Sequence, residues 1–107
     1  MPKFRLCDEK VRDIWINVTG EIVDECLNIV GQDLGEGCKA IWGEDEYEYY
    51  YSFDKDNTKK LYDILRVNNE KLTLKEHLVI NFSGVDGCRK LRELCETNSI
   101  KFLFFSC

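Results

Sequence analysis

The segment from Trp42 to Asp56, WGEDEYEYYYSFDKD, constrains the fold more than any other part of this sequence. Side chains of an extended chain alternate between two faces. The residues that share one face are Tyr47, Tyr49, Tyr51 and Phe53. Those that share the other are Glu46, Glu48, Tyr50 and Ser52. Because an unpaired carboxylate is strongly disfavoured in a protein interior, we predict that the first set faces a core and the second faces solvent or a partner.

The length of 107 residues predicts a single domain spanning residues 1–107. No apolar run approaches the roughly 20 residues that span a bilayer. The N-terminal sequence MPKFRLCDEK lacks the apolar stretch and cleavage site of a signal peptide. We therefore expect a cytoplasmic protein with no membrane partner.

Cysteine is frequent, but its spacing indicates neither a metal site nor a disulfide framework. The six are Cys7, Cys26, Cys38, Cys88, Cys95 and Cys107. No two have the CxxC spacing of zinc ligands, and the closest pair is separated by two helical turns. In the cytoplasm thiols stay reduced. We expect six free thiols that act as small apolar side chains, with no metal and no cofactor.

Charge is distributed unevenly along the chain. Residues 1–56 contain 14 Asp and Glu against 6 Lys and Arg, a net charge of −8, whereas residues 57–107 have a net charge of +3. An acidic face repels nucleic-acid phosphates and attracts basic proteins. The pattern predicts a basic protein partner and no nucleic acid, with a merely solubilising surface as the equal alternative.

The first half of the chain reads as strands. We predict them at residues 3–7, 11–18, 26–30 and 46–53. Residues 21–30 also fit a helical period, but branched side chains after a turn near Asp24 favour a strand there. Gly20 is expected to end a strand, and Gly31 to begin a loop. Residues 38–42 form either a short helix or a connector.

The second half changes to helical spacing. Asp54 or Asp56 is a candidate N-cap, and Thr73 with Glu76 fits a capping box. A further helix follows Asp86. Residues 100–105 predict a final strand that is interior to the sheet or covered on both faces, with Phe102 and Phe104 in the core. The fold class is α+β: an antiparallel or mixed sheet of about four to five strands, mostly N-terminal, with two to three helices on one face.

No catalytic constellation is apparent. His77, the only histidine, is predicted at a surface or boundary position on a helix. Glu46 and Glu48 lie about 7 Å apart on a strand, but they lack the apolar pocket that raises the pKa of a catalytic acid. Residues 54–57 lack the glycine and the terminal glutamate of a calcium loop. We predict no catalytic residue and no metal ligand.

The sequence thus predicts a small acidic, non-enzymatic protein-binding domain. The candidate partner-binding residues are Glu44, Asp45, Glu46, Glu48 and Tyr50. No family motif is present. The narrowest form of the hypothesis is an immunity-type inhibitor of a basic toxin or nuclease, an analogy of size and charge alone. The alternatives are a metal-assisted hydrolase that uses acidic residues, and a structural subunit that forms a homodimer through the strand edge at residues 102–105.

Overall fold

The computed structural model describes residues 3–106, apart from the side chain of residue 42. The elements in chain order are β1 (Phe4–Val11), β2 (Ile14–Val23), β3 (Cys26–Leu34), α1 (Glu36–Trp42), β4 (Glu46–Ser52), α2 (Lys55–Leu65), α3 (Leu74–Phe82), α4 (Gly87–Thr97) and β5 (Leu103–Ser106). The α+β prediction is confirmed. There are four helices within the described residues. Three lie in the second half of the chain, and the fourth, at residues 36–42, lies where either a short helix or a connector was predicted.

The five strands form one antiparallel sheet in the order β1-β2-β3-β4-β5. Spatial order therefore follows sequence order, and β1 and β5 are the two edges. The link between β4 and β5 contains α2, α3 and α4. None of the helices described between residues 3 and 106 is long and apolar enough to cross a lipid bilayer.

Two tight hairpins build the first three strands. Asp24 and Glu25 both have positive φ, 51° and 66°, as a type I′ turn requires, so the predicted turn is confirmed. The boundary between the first two strands differs from the prediction of strands at residues 3–7 and 11–18, because β1 continues to Val11. The first hairpin turns at Arg12 and Asp13, where φ of Arg12 is 57°. Residues 11–18 read as one strand because this turn contains no glycine, asparagine or proline.

Two glycines lie inside strands, contrary to prediction. A Cβ at Gly20 would lie 2.6 Å from the Phe4 ring, and one at Gly31 would lie 1.9 Å from the Tyr49 ring. Glycine in a strand often marks such a close approach. Both positions continue their strands because a neighbouring aromatic ring occupies the space of the missing side chain.

The core lies between one face of the sheet and the helices α2, α3 and α4. Its buried sheet residues include Phe4, Leu6, Val18, Leu27, Ile29 and Tyr51, and its buried helix residues include Leu61, Leu65, Leu74, Leu78, Phe82, Leu91 and Cys95. The predicted caps are present. Asp54 accepts a hydrogen bond from the Asn57 amide at 2.8 Å, and Thr73 and Glu76 form the capping box. These caps fix where α2 and α3 begin, and so which of their faces meets the sheet.

A β-bulge interrupts β1 between Arg5 and Cys7. Leu6 and Cys7, which are consecutive, are both buried. The bulge places two successive side chains toward the core. The Leu6 carbonyl accepts a hydrogen bond from the Gly84 amide at 2.9 Å, so the chain before α4 joins this edge strand.

The C-terminal segment differs from its prediction. Residues 103–106 form an edge strand, and Leu103, Phe104 and Phe105 are 71%, 50% and 51% exposed. The predicted position interior to the sheet is wrong, because β5 has a neighbouring strand on one side only. The prediction of a strand covered on both faces, with Phe104 in the core, is also wrong, because these side chains are exposed. Phe102 precedes the strand and is half-buried against the core, with its ring 5.3 Å from that of Phe53.

His77 is buried and only 3% exposed, so its predicted surface or boundary position is wrong. Its Nε2 is hydrogen-bonded to the Asn69 carbonyl at 3.0 Å. The connection between α2 and α3 thus supplies a polar partner, which a buried imidazole needs. This residue belongs to the structural interior.

Candidate protein-binding face

The sheet face turned away from the helices is the candidate site, and we call it the open face. Apart from the bulge in β1, side chains on it alternate with the core residues along the strands. Within residues 3–106 all of α2, α3 and α4 pack on the other face, and α1 also lies there, where Gly37 approaches Ile14. The open face is therefore a broad surface of half-buried and exposed side chains.

An apolar row crosses the centre of the open face. Cross-strand pairing aligns Thr19, Val30, Tyr50 and Phe105 on adjacent strands. The rings of Tyr50 and Phe105 are stacked, with centroids 4.8 Å apart and planes inclined by 14°. Directly opposed residues of an antiparallel pair come close enough for such contact. We call this pair the Tyr50–Phe105 stack.

Two carboxylates lie beside the stack on β4. The Tyr50 hydroxyl donates a hydrogen bond of 2.5 Å to Glu48 Oε2, and Gln32 Nε2 donates one of 2.7 Å to Glu46 Oε1. The hydrogen bond from Tyr50 lowers the pKa of Glu48 below its usual value. Glu48 therefore stays ionised at neutral pH, and neighbouring donors orient both carboxylates.

The predicted register of β4 is confirmed. Glu46, Glu48 and Tyr50 lie on the open face, with Glu46 exposed and the other two half-buried. Tyr51 is buried in the core on the opposite face, and Tyr49 packs against that core. A one-residue shift would have exchanged the two sets.

Glu44 and Asp45 are placed differently from the other predicted site residues. Both are exposed and lie in the bend between α1 and β4, before the strand begins. The Asp45 carbonyl accepts a hydrogen bond from the Gly35 amide at 2.9 Å. They add negative charge near the acidic end of β4, but the structure does not bring them onto the open face.

Sequence reasoning missed two parts of this face. Phe105 stacks on Tyr50 only because β5 pairs with β4, and no local pattern predicts that pairing. At the far side of the sheet, Trp15 Nε1 donates to Asp8 Oδ1 at 2.6 Å, and Arg5 Nη1 donates to Asp8 Oδ2 at 2.7 Å. The sequence signal for this part of the face was that Trp15 lies on the side of its strand opposite Ile14 and Ile16.

A polar row separates the two aromatic regions. It aligns Asp8, Asn17, Gln32 and Glu48 across the first four strands. The side-chain oxygen of Asn17 is buried and accepts no hydrogen bond from the residues that the structure describes. The carboxylates at the two ends of the row already accept hydrogen bonds, Asp8 from Arg5 and Trp15, and Glu48 from Tyr50.

The cysteines do not form a reactive centre in the described part of the chain. Cys7, Cys26, Cys38, Cys88 and Cys95 are all free, and Cys107 lies outside the described residues. Burial raises the pKa of Cys88 and of Cys95 to about 11. At neutral pH both are therefore thiols and not nucleophilic thiolates. No group of three or more His, Cys, Asp or Glu side chains within residues 3–106 is arranged to hold a metal ion.

A cleft of about 510 Å³ lies between the β2–β3 turn and α2. Its walls include Ile22, Tyr62 and Leu74. The one carboxylate that lines it, Glu25, forms an ion pair of 2.8 Å with Lys55. The residues that line this cleft therefore do not include a pair of carboxylates.

Fold and face together define a class, an α+β protein with an antiparallel sheet that is covered by helices on one side only. No protein-family model, no curated protein and no solved structure matches this chain.

Proposed function

We propose that this protein is a cytoplasmic, non-enzymatic binding domain whose open face engages a basic protein. The observation that carries the proposal is the Tyr50–Phe105 stack beside the carboxylates of Glu46 and Glu48. An antiparallel sheet with one side uncovered is common, but aromatic side chains grouped with oriented carboxylates are not needed for solubility alone. They match the composition of an interface centre with a charged margin.

The two kinds of side chain have separate tasks in this proposal. Aromatic rings bury a large rigid area at a small entropic cost and are frequent among the residues that dominate binding energies. Carboxylates accelerate encounter with a basic partner through long-range attraction. A narrower form of the proposal is an immunity-type inhibitor of a basic toxin or nuclease, which the small size and the net charge of −5 support.

The first test is capture of partners from the native cell with a matched set of charge variants. The test variant is Glu46→Lys with Glu48→Lys. The control is Glu70→Lys with Glu96→Lys, which makes the same change in net charge at exposed positions outside the sheet. We expect basic proteins that the wild type and the control retain but the test variant loses. A partner retained equally by all three proteins would place the binding site elsewhere.

With a partner identified, kinetics separate the two tasks. Charge reversal at Glu46 and Glu48 should slow association and weaken its dependence on salt, because it removes a long-range field. Tyr50→Ala should instead accelerate dissociation, because it removes a short-range contact. Surface plasmon resonance at several salt concentrations measures both rates. The proposal is contradicted if neither variant alters either rate.

A second candidate function is self-association through β5, which its exposed Leu103, Phe104 and Phe105 favour. Sedimentation over a range of concentrations would detect such a dimer. Leu103→Lys should then shift the equilibrium to monomer, as a charge at a strand edge opposes pairing. The metal-assisted hydrolase stays a prediction from the sequence.

A further inference from the structure

The two edges of the sheet differ in how they are protected. Natural edge strands carry bulges, charges or covering segments that prevent another chain from pairing. β1 has a bulge, charged side chains and the hydrogen bond from Gly84. β5 has the sequence LFFS, with no charge, no proline and no bulge in its pairing with β4. Within residues 3–106, β5 therefore lacks the bulge and the charged side chains that protect β1.

Pairing between β4 and β5 leaves the acidic end of β4 beyond the described part of β5. The register joins Ser52 to Leu103 and Tyr49 to Ser106, so Glu46 and Glu48 extend past Ser106. An antiparallel strand added to β5 would run in the same direction as β4. Its open-face side chains would pass Glu46 first, then Glu48, then Phe105 and finally Leu103.

Distances along this path suit long basic side chains. A sixth strand would lie two inter-strand spacings from β4, about 10 Å. A lysine or arginine from that strand and a glutamate from β4 are together long enough to bridge such a gap. The next two open-face positions would meet the exposed rings and methyl groups of Phe105 and Leu103. The first two open-face positions of the added strand would therefore meet carboxylates, and the next two would meet apolar side chains.

We propose that the partner docks an extended segment antiparallel to β5, with open-face side chains in the order basic, basic, apolar, apolar at alternate positions. The proposal rests on the proposed function, whose basic partner it specifies. Backbone hydrogen bonds to the edge would supply affinity, and the alternate side chains would supply specificity. An arginine at the second position would also lie near the face of Phe105, where a guanidinium is attracted to an aromatic ring.

The probe is the synthetic peptide KTRTVTVT, added to the isotope-labelled full chain and followed by NMR. We expect amide shifts concentrated in β4 and β5. Glu46→Lys with Glu48→Lys should weaken binding at least about tenfold, as should Leu103→Lys. The control, Glu70→Lys with Glu96→Lys, should bind as the wild type does. No binding by the wild type, or equal binding by all variants, overturns the proposal.

Two N-methylated peptides distinguish strand addition from contact with the open face alone. One carries N-methyl groups at the odd positions and the other at the even positions. An added strand directs alternate N–H groups toward its neighbour, so one peptide should lose binding and the other should keep it. If both bind as well as the parent, the segment lies on the open face, and the strand proposal fails while the proposed function stands.

Self-pairing of β5 is the remaining outcome. Shifts in the β5 amides with protein concentration, in the absence of peptide, would assign this edge to a second copy of the chain and would overturn the proposal. Loss of captured partners on charge reversal would still support the proposed function in that case. The two conclusions are therefore tested by separate measurements.

Discussion

Tyr49 owes its position to the absence of a side chain at residue 31. Its ring lies over Gly31, and burial there raises the pKa of its hydroxyl. The rings of Tyr47 and Tyr51 flank it at 5.8 Å and 6.2 Å. One glycine thus allows three aromatic side chains of β4 to form a continuous layer on the core side.

We predict that Gly31→Ala destabilises the protein by about 1–3 kcal/mol, because the new methyl group must displace the Tyr49 ring. Urea denaturation of Gly31→Ala, Tyr49→Ala and the double variant measures the coupling between the two residues. The double variant should lose less stability than the two single losses combined, since removal of the ring makes room for the methyl group. Strict additivity would show that the two residues do not compete for the same space.

Residue types alone predict the faces of β4 but not these close contacts. Alternation identified the open side of Glu46 and Glu48 because a buried unpaired carboxylate is strongly disfavoured. Gly20 and Gly31 were read as breakers because glycine usually weakens a strand. The rings that stabilise them lie on neighbouring strands, at Phe4 and Tyr49, and only the pairing register brings them there.

At the scale of elements, local chemistry predicted the helices better than the final strand. The caps at Asp54 and Thr73 were visible because each lies within a few residues of the helix it bounds. β5 depends on pairing with Ser52 and its neighbours, from which the whole helical segment separates it. Its apolar sequence indicated burial, but an edge position leaves such residues exposed.

Because β5 is an edge strand, we expect alanine substitutions at Phe102 and Phe104 to reduce stability by unequal amounts. Phe102→Ala should cost about 2–3 kcal/mol, because the ring packs against Tyr51 and Phe53. Phe104→Ala should cost about 1 kcal/mol or less, as its side chain is half exposed. Thermal and urea unfolding of both variants tests the order. A larger loss at Phe104 would indicate that β5 is covered in solution.

At the scale of the whole molecule, the protection of backbone amides against hydrogen exchange should decrease from the centre of the sheet toward β5. β3 pairs with β2 and β4 along nearly its full length, whereas β5 has four residues and one neighbour. Local opening requires less free energy where few buried contacts are lost. The interior of the sheet and its C-terminal edge should therefore open independently.

Hydrogen exchange measured by NMR tests this gradient. We expect the slowest amide exchange in β3 and the fastest strand exchange in β5, at a protein concentration low enough to exclude association. Exchange in β5 should slow when the peptide KTRTVTVT is added, since its outward amides would then be bonded. Equal protection of β3 and β5 without peptide would contradict the expected gradient.

A sheet grows without limit only if both of its outer strands accept a neighbour. In β1 the ladder breaks between Arg5 and Cys7, and the Leu6 carbonyl is already bonded to Gly84. A chain that joins at β5 therefore creates no further growth point on the far side of the same molecule. We therefore expect assembly through β5 to end after one addition, either as a one-to-one complex with a foreign strand or as a closed pair of identical chains, and not to continue into a fibre.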